Sequence, residues 1–336
     1  MKSFYGRFLG ASLGMLLSLG SSTLLAQDDL LAELESSQEK PVVEGLFNSY
    51  WLTNLPTTNT VGHRDLVLSF MHRFGPVGGS LGGVQSLFGL DNILDYRLAA
   101  YYGITERWHV GVGRSKASQR FDFTSAYRIL DQRQGGFPFA ATLHAYAAYA
   151  SEVGGSVSVT PYFFNGGFVS QVDRYPSLES RWTYTVQLAL ARKFGRNFSL
   201  LLVPSMLHRN YRITPRDENT LFALGIGTRL RLNNTITLTA DYVQTASPYR
   251  YLRLPGSNYF APLSVGFEVN VGGHVFQMFM SNSAVMPMEH LLNSPNRWDR
   301  GQMGFGFNIV RVIGLKHKER RPEPVPAKES SEPSGS

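Results

Sequence analysis

The chain has 336 residues, a net charge of +7 and no cysteine, which excludes a disulfide framework and cysteine-based lipidation. Aromatics make up 12% of it and glycine contributes 33 residues, a composition that suits a membrane β-barrel. A basic chain also suits nucleic acid, but the export signal at the N-terminus argues against that, and no nucleic-acid partner is expected.

Residues 1–26 read as a secretory signal peptide. Lys2 and Arg7 precede an apolar core, FLGASLGMLLSLG, that is short for a membrane-spanning helix, and Ala26 is a candidate cleavage position. Residues 27–63 form an acidic N-terminal segment, with six acids and one base. Residues 64–315 carry 24 bases and 15 acids, and 22 of those bases are arginine. The tail 316–336 holds four prolines and mixed charge without hydrophobic periodicity, so it is expected to be disordered. Beyond the signal no apolar run is long enough for a transmembrane helix.

The central region alternates in two-residue period. Ile236, Leu238, Ala240 and Tyr242 share one face, while Thr237, Thr239 and Asp241 share the other. Trp182, Tyr184, Val186, Leu188 and Leu190 repeat the pattern, and so do Phe222, Leu224, Ile226 and Leu230. One face is apolar with aromatics near its ends, and the other is small or polar, as in a barrel with lipid outside and a polar lumen. Strands are expected at 64–74, 91–102, 107–116, 119–131, 138–150, 180–193, 197–209, 219–231, 235–246, 260–271, 274–283 and 302–313. Five short connections (103–106, 132–137, 194–197, 232–235 and 272–273) fall at one end, and the long connections fall at the other. A short link near 117–118 is the exception. The fold class predicted is all-β, an antiparallel up-and-down transmembrane barrel of twelve strands with short periplasmic turns and longer external loops. An even count leaves 43–53 without a place in the wall, so this segment is expected to cap, plug or underlie the barrel.

The segments HRFG (72–75), LFGLD (87–91), YGIT (102–105), VGVGRS (110–115), ARKF (191–194), PSMLHRN (204–210), VGGHVFQMFMSNS (271–283) and GFNIVR (306–311) occur in that order. Together they resemble an uncharacterised family of bacterial outer-membrane-type β-barrel proteins, a domain of unknown function. The resemblance covers about 45–313 and implies an exported barrel in the outer membrane of a Gram-negative bacterium. It transfers no activity and no catalytic residue. The closing GFGFNIVRVIG departs from the usual pattern, because a polar tail follows it where many such barrels end on an aromatic.

Inward parity collects charges of both signs: Asp65, Arg73, Asp95, Arg97, Asp122, Arg128, Arg229, Arg231, Asp241 and Glu268. Asp95 and Arg97 are expected to face Asp65 and Arg73, and Arg229 and Arg231 to neighbour the strand of Asp241. Such residues either line a selective pore or form a salt-bridged interior that closes the lumen. A basic collar is expected at the periplasmic rim from Arg107, Arg192, Lys193, Arg196, His274 and Arg311, joined by Arg128, Arg133, Arg229 and Arg231 and opposed by Glu106 and Asp131. This collar would either meet anionic lipid head groups or simply snorkel to the interface, as arginine does at any membrane surface. His274 opens a lipid-facing strand after the Gly272-Gly273 turn and reads as an interface anchor.

His72, His144, His208 and His274 lie on separate strands without metal-ligand spacing, and the 75–90 glycines lack a phosphate-loop lysine. No metal, cofactor or catalytic residue is therefore expected. The expected function is passage or binding of small solutes, anionic ones in particular. The alternative is a non-conducting structural or partner-binding barrel, and the third reading is a barrel enzyme acting on lipid or surface polymer. Expected partners are outer-membrane lipids and a periplasmic partner reached through the N-terminal segment or the C-terminal tail. Residues 28–44 read either as a solvated linker or as a segment that docks on the basic rim and braces or gates it.

Overall fold

A computed structural model describes residues 40–79, 82–152, 156–160, 169–173, 175–212, 217–247, 259–286, 288–292 and 296–314. Residues 1–39, which span the expected signal peptide and the first part of the acidic segment, including most of the 28–44 stretch, lie outside the described residues, as does the tail 316–336. No helix among the described residues is long and apolar enough to cross a membrane.

Twelve antiparallel strands close into a barrel, and all twelve correspond to strands read from the sequence. They are β1 (Asp65–Pro76), β2 (Ile93–Gly103), β3 (Trp108–Ser115), β4 (Arg120–Leu130), β5 (Ala140–Ala150), β8 (Trp182–Phe194), β9 (Phe198–Arg209), β10 (Thr220–Arg231), β11 (Ile236–Ala246), β12 (Leu263–Val271), β13 (His274–Ser281) and β14 (Gly304–Gly314). Each pairs with its chain neighbours, and β1 pairs with β14 to complete the circle. Closure leaves no free edge, the condition for a sheet to be stable in hydrocarbon. Within the 151–179 connection, read from the sequence as a loop, β6 (Ser156–Thr160) and β7 (Val169–Asp173) form a separate two-stranded sheet.

The short turns follow from local chemistry. Gly272 and Gly273 both adopt positive φ, 55° and 83°, as a two-residue hairpin requires. Pro204 on β9 has no N–H, and the β8–β9 ladder skips from Gln187↔Ser205 to Leu190↔Leu202 around it.

Burial alternates along much of the wall. On β10, Leu221, Ala223, Gly225, Gly227 and Arg229 are buried, whereas Phe222, Leu224, Ile226 and Leu230 are exposed. Val112 and Met278 are more than half exposed. An apolar exterior around a polar interior is stable only where the solvent is hydrocarbon.

Residues 40–43 and 132–138 form a small unit of their own. Val42 bridges Arg133, Val43 N–H donates to Gln132 O at 2.8 Å, and Arg133 donates to Lys40 O at 2.8 Å.

Candidate functional site

The lumen is occupied by the chain itself. Residues 46–61 are mostly buried, including Leu52 at 1% exposure and Leu55 and Val61 at 0%. They form a hairpin: Trp51 bridges Pro56, Leu52 N–H donates to Leu55 O at 2.9 Å, and Thr57 N–H donates to Tyr50 O at 2.9 Å. The hairpin enters at the short-turn end, where Lys193 Nζ donates to Glu44 O at 2.8 Å. Its return limb leaves at the same end, where His63 Nδ1 meets Ile104 O at 2.7 Å.

Five inward charges find partners on this hairpin: Arg73, Arg128, Arg229, Asp241 and Glu268. Arg229 donates to Gly45 O at 2.8 Å and to Asn48 Oδ1 at 2.7 Å. Asn48 in turn donates to Glu268 at 3.1 Å and Thr237 at 3.2 Å. At the tip, Asn54 gives its backbone N–H and its side-chain amide to the two oxygens of Asp241, at 2.9 and 2.8 Å, and also reaches Ser264 Oγ at 2.6 Å. Arg73, 2% exposed, donates to Thr53 O at 3.0 Å and Asn308 Oδ1 at 3.1 Å, and it lies 4.4 Å from the Phe279 ring. Gln277 links Trp51 O and Glu268 at 2.7 and 2.6 Å. A buried charge without such partners would cost several kcal/mol, so the barrel wall and the hairpin complete one another.

The return limb is held on the opposite wall. His144 donates from Nε2 to Thr57 O at 2.9 Å, Thr142 Oγ1 donates to Thr58 O at 2.9 Å, and Val61 N–H donates to His109 Nδ1 at 3.4 Å. Arg128 donates to Thr60 Oγ1 and pairs with Asp131 at 3.3 Å. Burial pushes the Tyr50 hydroxyl up to about 12, with Asp65 adding to the shift and Arg128 opposing it, so it stays protonated.

The fit of the tip is steric as well as polar. A Cβ at Gly225 would fall on Leu55 Cδ2, and one at Gly227 would fall on Leu52 Cδ1. These two inward glycines make the room the leucines fill.

Above the tip, toward the long-loop end, a cavity of about 80 Å³ remains against β1 to β5 and β8. It has room for a handful of water molecules. Arg73, Arg97, Arg120 and Asp122 line it, and Met286, Met288 and Leu291 cover it. Asp95, 0% exposed, accepts the backbone N–H of Ala117 and of Met286, both at 3.0 Å, so it ties two loops over the mouth.

Some sequence expectations need correcting. Asp65 does not meet Asp95 or Arg97. The register sets Arg73 opposite Asp95, and Asp65 lies at the other end of β1, opposite Gly314. Arg97 pairs instead with Asp122, at 3.0 and 2.6 Å. Arg231 does not line the lumen. It sits at the last position of β10, and its guanidinium turns to Asn233 O and Asn234 in the adjoining turn. Arg229 serves the hairpin, while Asp241 takes Asn54. Parity also held two inward arginines that the sequence reading passed over: Arg120, which donates to Thr183 Oγ1 at 3.2 Å, and Arg209, paired with Asp217 at 2.7 Å.

Around the short-turn end, Arg107 pairs with Asp131. Arg192 stacks over Phe194 at 5.0 Å, and Arg196 is exposed in its turn. His274 stacks on Phe276 at 6.0 Å, and Arg311 lies opposite His274 in register.

Residues 47–313 match the family model described as a membrane bound beta barrel domain (DUF5777). The chain belongs to this family. It is therefore a membrane-bound β-barrel, in keeping with its apolar exterior. No curated protein matches it. Solved structures similar to this DUF5777 barrel include the NanC porin, at 8% identity and TM-score 0.41 over 75% of this chain and 100% of that one. The KdgM porin gives 7% identity and TM-score 0.42 over 74% and 99%. Omp33 of Acinetobacter baumannii gives 9% identity and TM-score 0.37 over 76% and 100%.

Proposed function

We propose that this DUF5777 protein is an outer-membrane channel for small solutes that its own N-terminal hairpin holds shut. The observation that carries this reading is the polar attachment of residues 44–62 to the lumen wall. The hairpin also buries Leu52, Leu55 and Val61 against the wall, so its attachment is apolar as well as polar. Hydrogen bonds to carbonyls, amides and carboxylates can be exchanged for bonds to water, each at a net cost of about 0.5–1.5 kcal/mol, more where a charge is involved. The hairpin is a closure whose polar bonds water can take over, so that its release needs an applied displacement rather than thermal opening alone.

Displacement would free Arg229 from Gly45, Leu46 and Asn48 and Arg73 from Thr53 and Asn54, while Arg73 would keep Asn308 and the carboxylates of Asp241 and Glu268 would lose their hairpin donors. Both would then offer planar donors to carboxylate or phosphate, which favours small anionic solutes. The short-turn end faces the periplasm in this reading, and a periplasmic partner acting on the acidic segment would supply the displacement.

The test is single-channel conductance in a planar bilayer. The full chain is expected to be silent for most of the recording, and a chain lacking residues 44–62 is expected to conduct steadily, with a salt-gradient reversal potential favouring anions. A folded, inserted deletion variant that stays silent would refute the proposal.

A further inference from the structure

The outer wall carries a feature the gated lumen does not use. Arg311 on β14 is exposed on the lipid-facing side, opposite Leu68 on β1 and His274 on β13. No hydrogen bond or ion pair engages its guanidinium among the described residues. Two other arginines on the same face lie against aromatic rings. Arg114 donates to Gln119 O and Ser151 Oγ and lies 4.2 Å from the Phe121 ring, and Arg192 stacks over Phe194.

A groove of about 640 Å³ leads away from Arg311 across the outside of β1 to β4. Its origin lies in the register. Arg311, Leu68, Ala100, Val112 and Phe123 are cross-strand neighbours in one row. Ala100 is the small member between Leu68 and Val112, and it dents an otherwise bulky wall. The row starts near the short-turn end of β14 and climbs toward the long-loop end by β4, so an occupant would lie obliquely along the apolar band with one end at the interface.

We propose that this groove seats one anionic phospholipid of the leaflet at the short-turn end, with its acyl chain over Ala100 and its phosphate on the Arg311 fork. A guanidinium at the edge of hydrocarbon is best satisfied by a bidentate phosphate, and the apolar groove beside it takes the chain that comes with that phosphate. A free phosphate would use the charge but not the groove. The inference rests on the membrane-bound character of the family and is independent of gating.

The experiment is native mass spectrometry of the full chain in detergent. It is titrated with dioleoyl phosphatidylglycerol, with dioleoyl phosphatidylcholine, or with glycerol 3-phosphate as the head group alone. One phosphatidylglycerol should be retained about fivefold more strongly than phosphatidylcholine, the scale of one basic residue at a charged membrane surface, and glycerol 3-phosphate should not be retained. Arg311→Gln should erase the preference. Ala100→Leu should weaken both lipids, and Arg192→Gln should change nothing. Should Ala100→Leu fail to fold, Arg311→Lys decides: a seat that uses the planar fork loses at least half the preference, and general charge attraction keeps it. Equal retention of the two lipids, an equal loss in Arg192→Gln, or an Ala100→Leu barrel that binds as before would overturn the proposal.

Discussion

Removing the Asn54 side chain should loosen the hairpin by a measurable amount. Asn54→Ala deletes a 2.8 Å donation to the Asp241 carboxylate, a 2.6 Å donation to Ser264 and an acceptor 3.4 Å from Arg73, while the backbone N–H bond to Asp241 survives. A bond to a charged group contributes about 1.5–3 kcal/mol and a neutral one about 1 kcal/mol. Water entering the space left behind regains part of that, which leaves roughly 2–3 kcal/mol. At about 1.4 kcal/mol per factor of ten, the open population should rise about 30- to 150-fold. The chain has no native cysteine, so a single Ser49→Cys reports opening cleanly. Ser49 is 1% exposed, and its label rate with an impermeant thiol reagent tracks the open fraction when reclosing is fast. A rate that changes less than twofold between Ser49→Cys alone and Ser49→Cys with Asn54→Ala would refute the reasoning. The tip bonds would then not hold the hairpin.

Gly225→Val should push Leu55 out of its seat, since the new carbons fall on the leucine side chain. An overpacking cost of about 1–3 kcal/mol corresponds to a five- to 150-fold faster Ser49→Cys label rate. Arg229→Gln should free the base of the hairpin at Gly45, Leu46 and Asn48. The expected sign is protease cleavage within 44–62 at least tenfold faster, with gel mobility of the folded barrel unchanged from that of the parent chain. Loss of that mobility before any cleavage would assign Arg229 to the wall instead.

The wall was legible in the sequence because lipid and lumen impose a two-residue period on every strand. Phe222, Leu224 and Ile226 against Ala223, Gly225 and Gly227 already separate outside from inside. Parity fails where a strand ends: Arg231 has inward parity, yet at the last position of β10 its long side chain reaches the turn asparagines. Arg120 was legible and overlooked, since it shares parity with Asp122 and Arg128 on β4. The hairpin's contacts were not legible. Its side chains point around the lumen in several directions and so leave no period. Its decisive partners are remote in sequence, with Asn54 and Asp241 separated by 187 positions. Nothing local to residues 44–62 announces Gly225 and Gly227 as their seat.

The central claim is that conduction requires the hairpin to leave the lumen, and a reversible tether tests it most directly. Asn48 Nδ2 lies 3.2 Å from Thr237 Oγ1 on β11, so Asn48→Cys with Thr237→Cys places two thiols near each other, to be joined between hairpin and wall by a disulfide or, where its geometry does not allow one, by a short reducible cross-linker. In an Asn54→Ala background, single-channel recordings should show openings under reductant that vanish once the tether forms and return on reduction. Openings that persist through a fully formed tether would contradict the account, because solutes would then be passing a hairpin that has not moved.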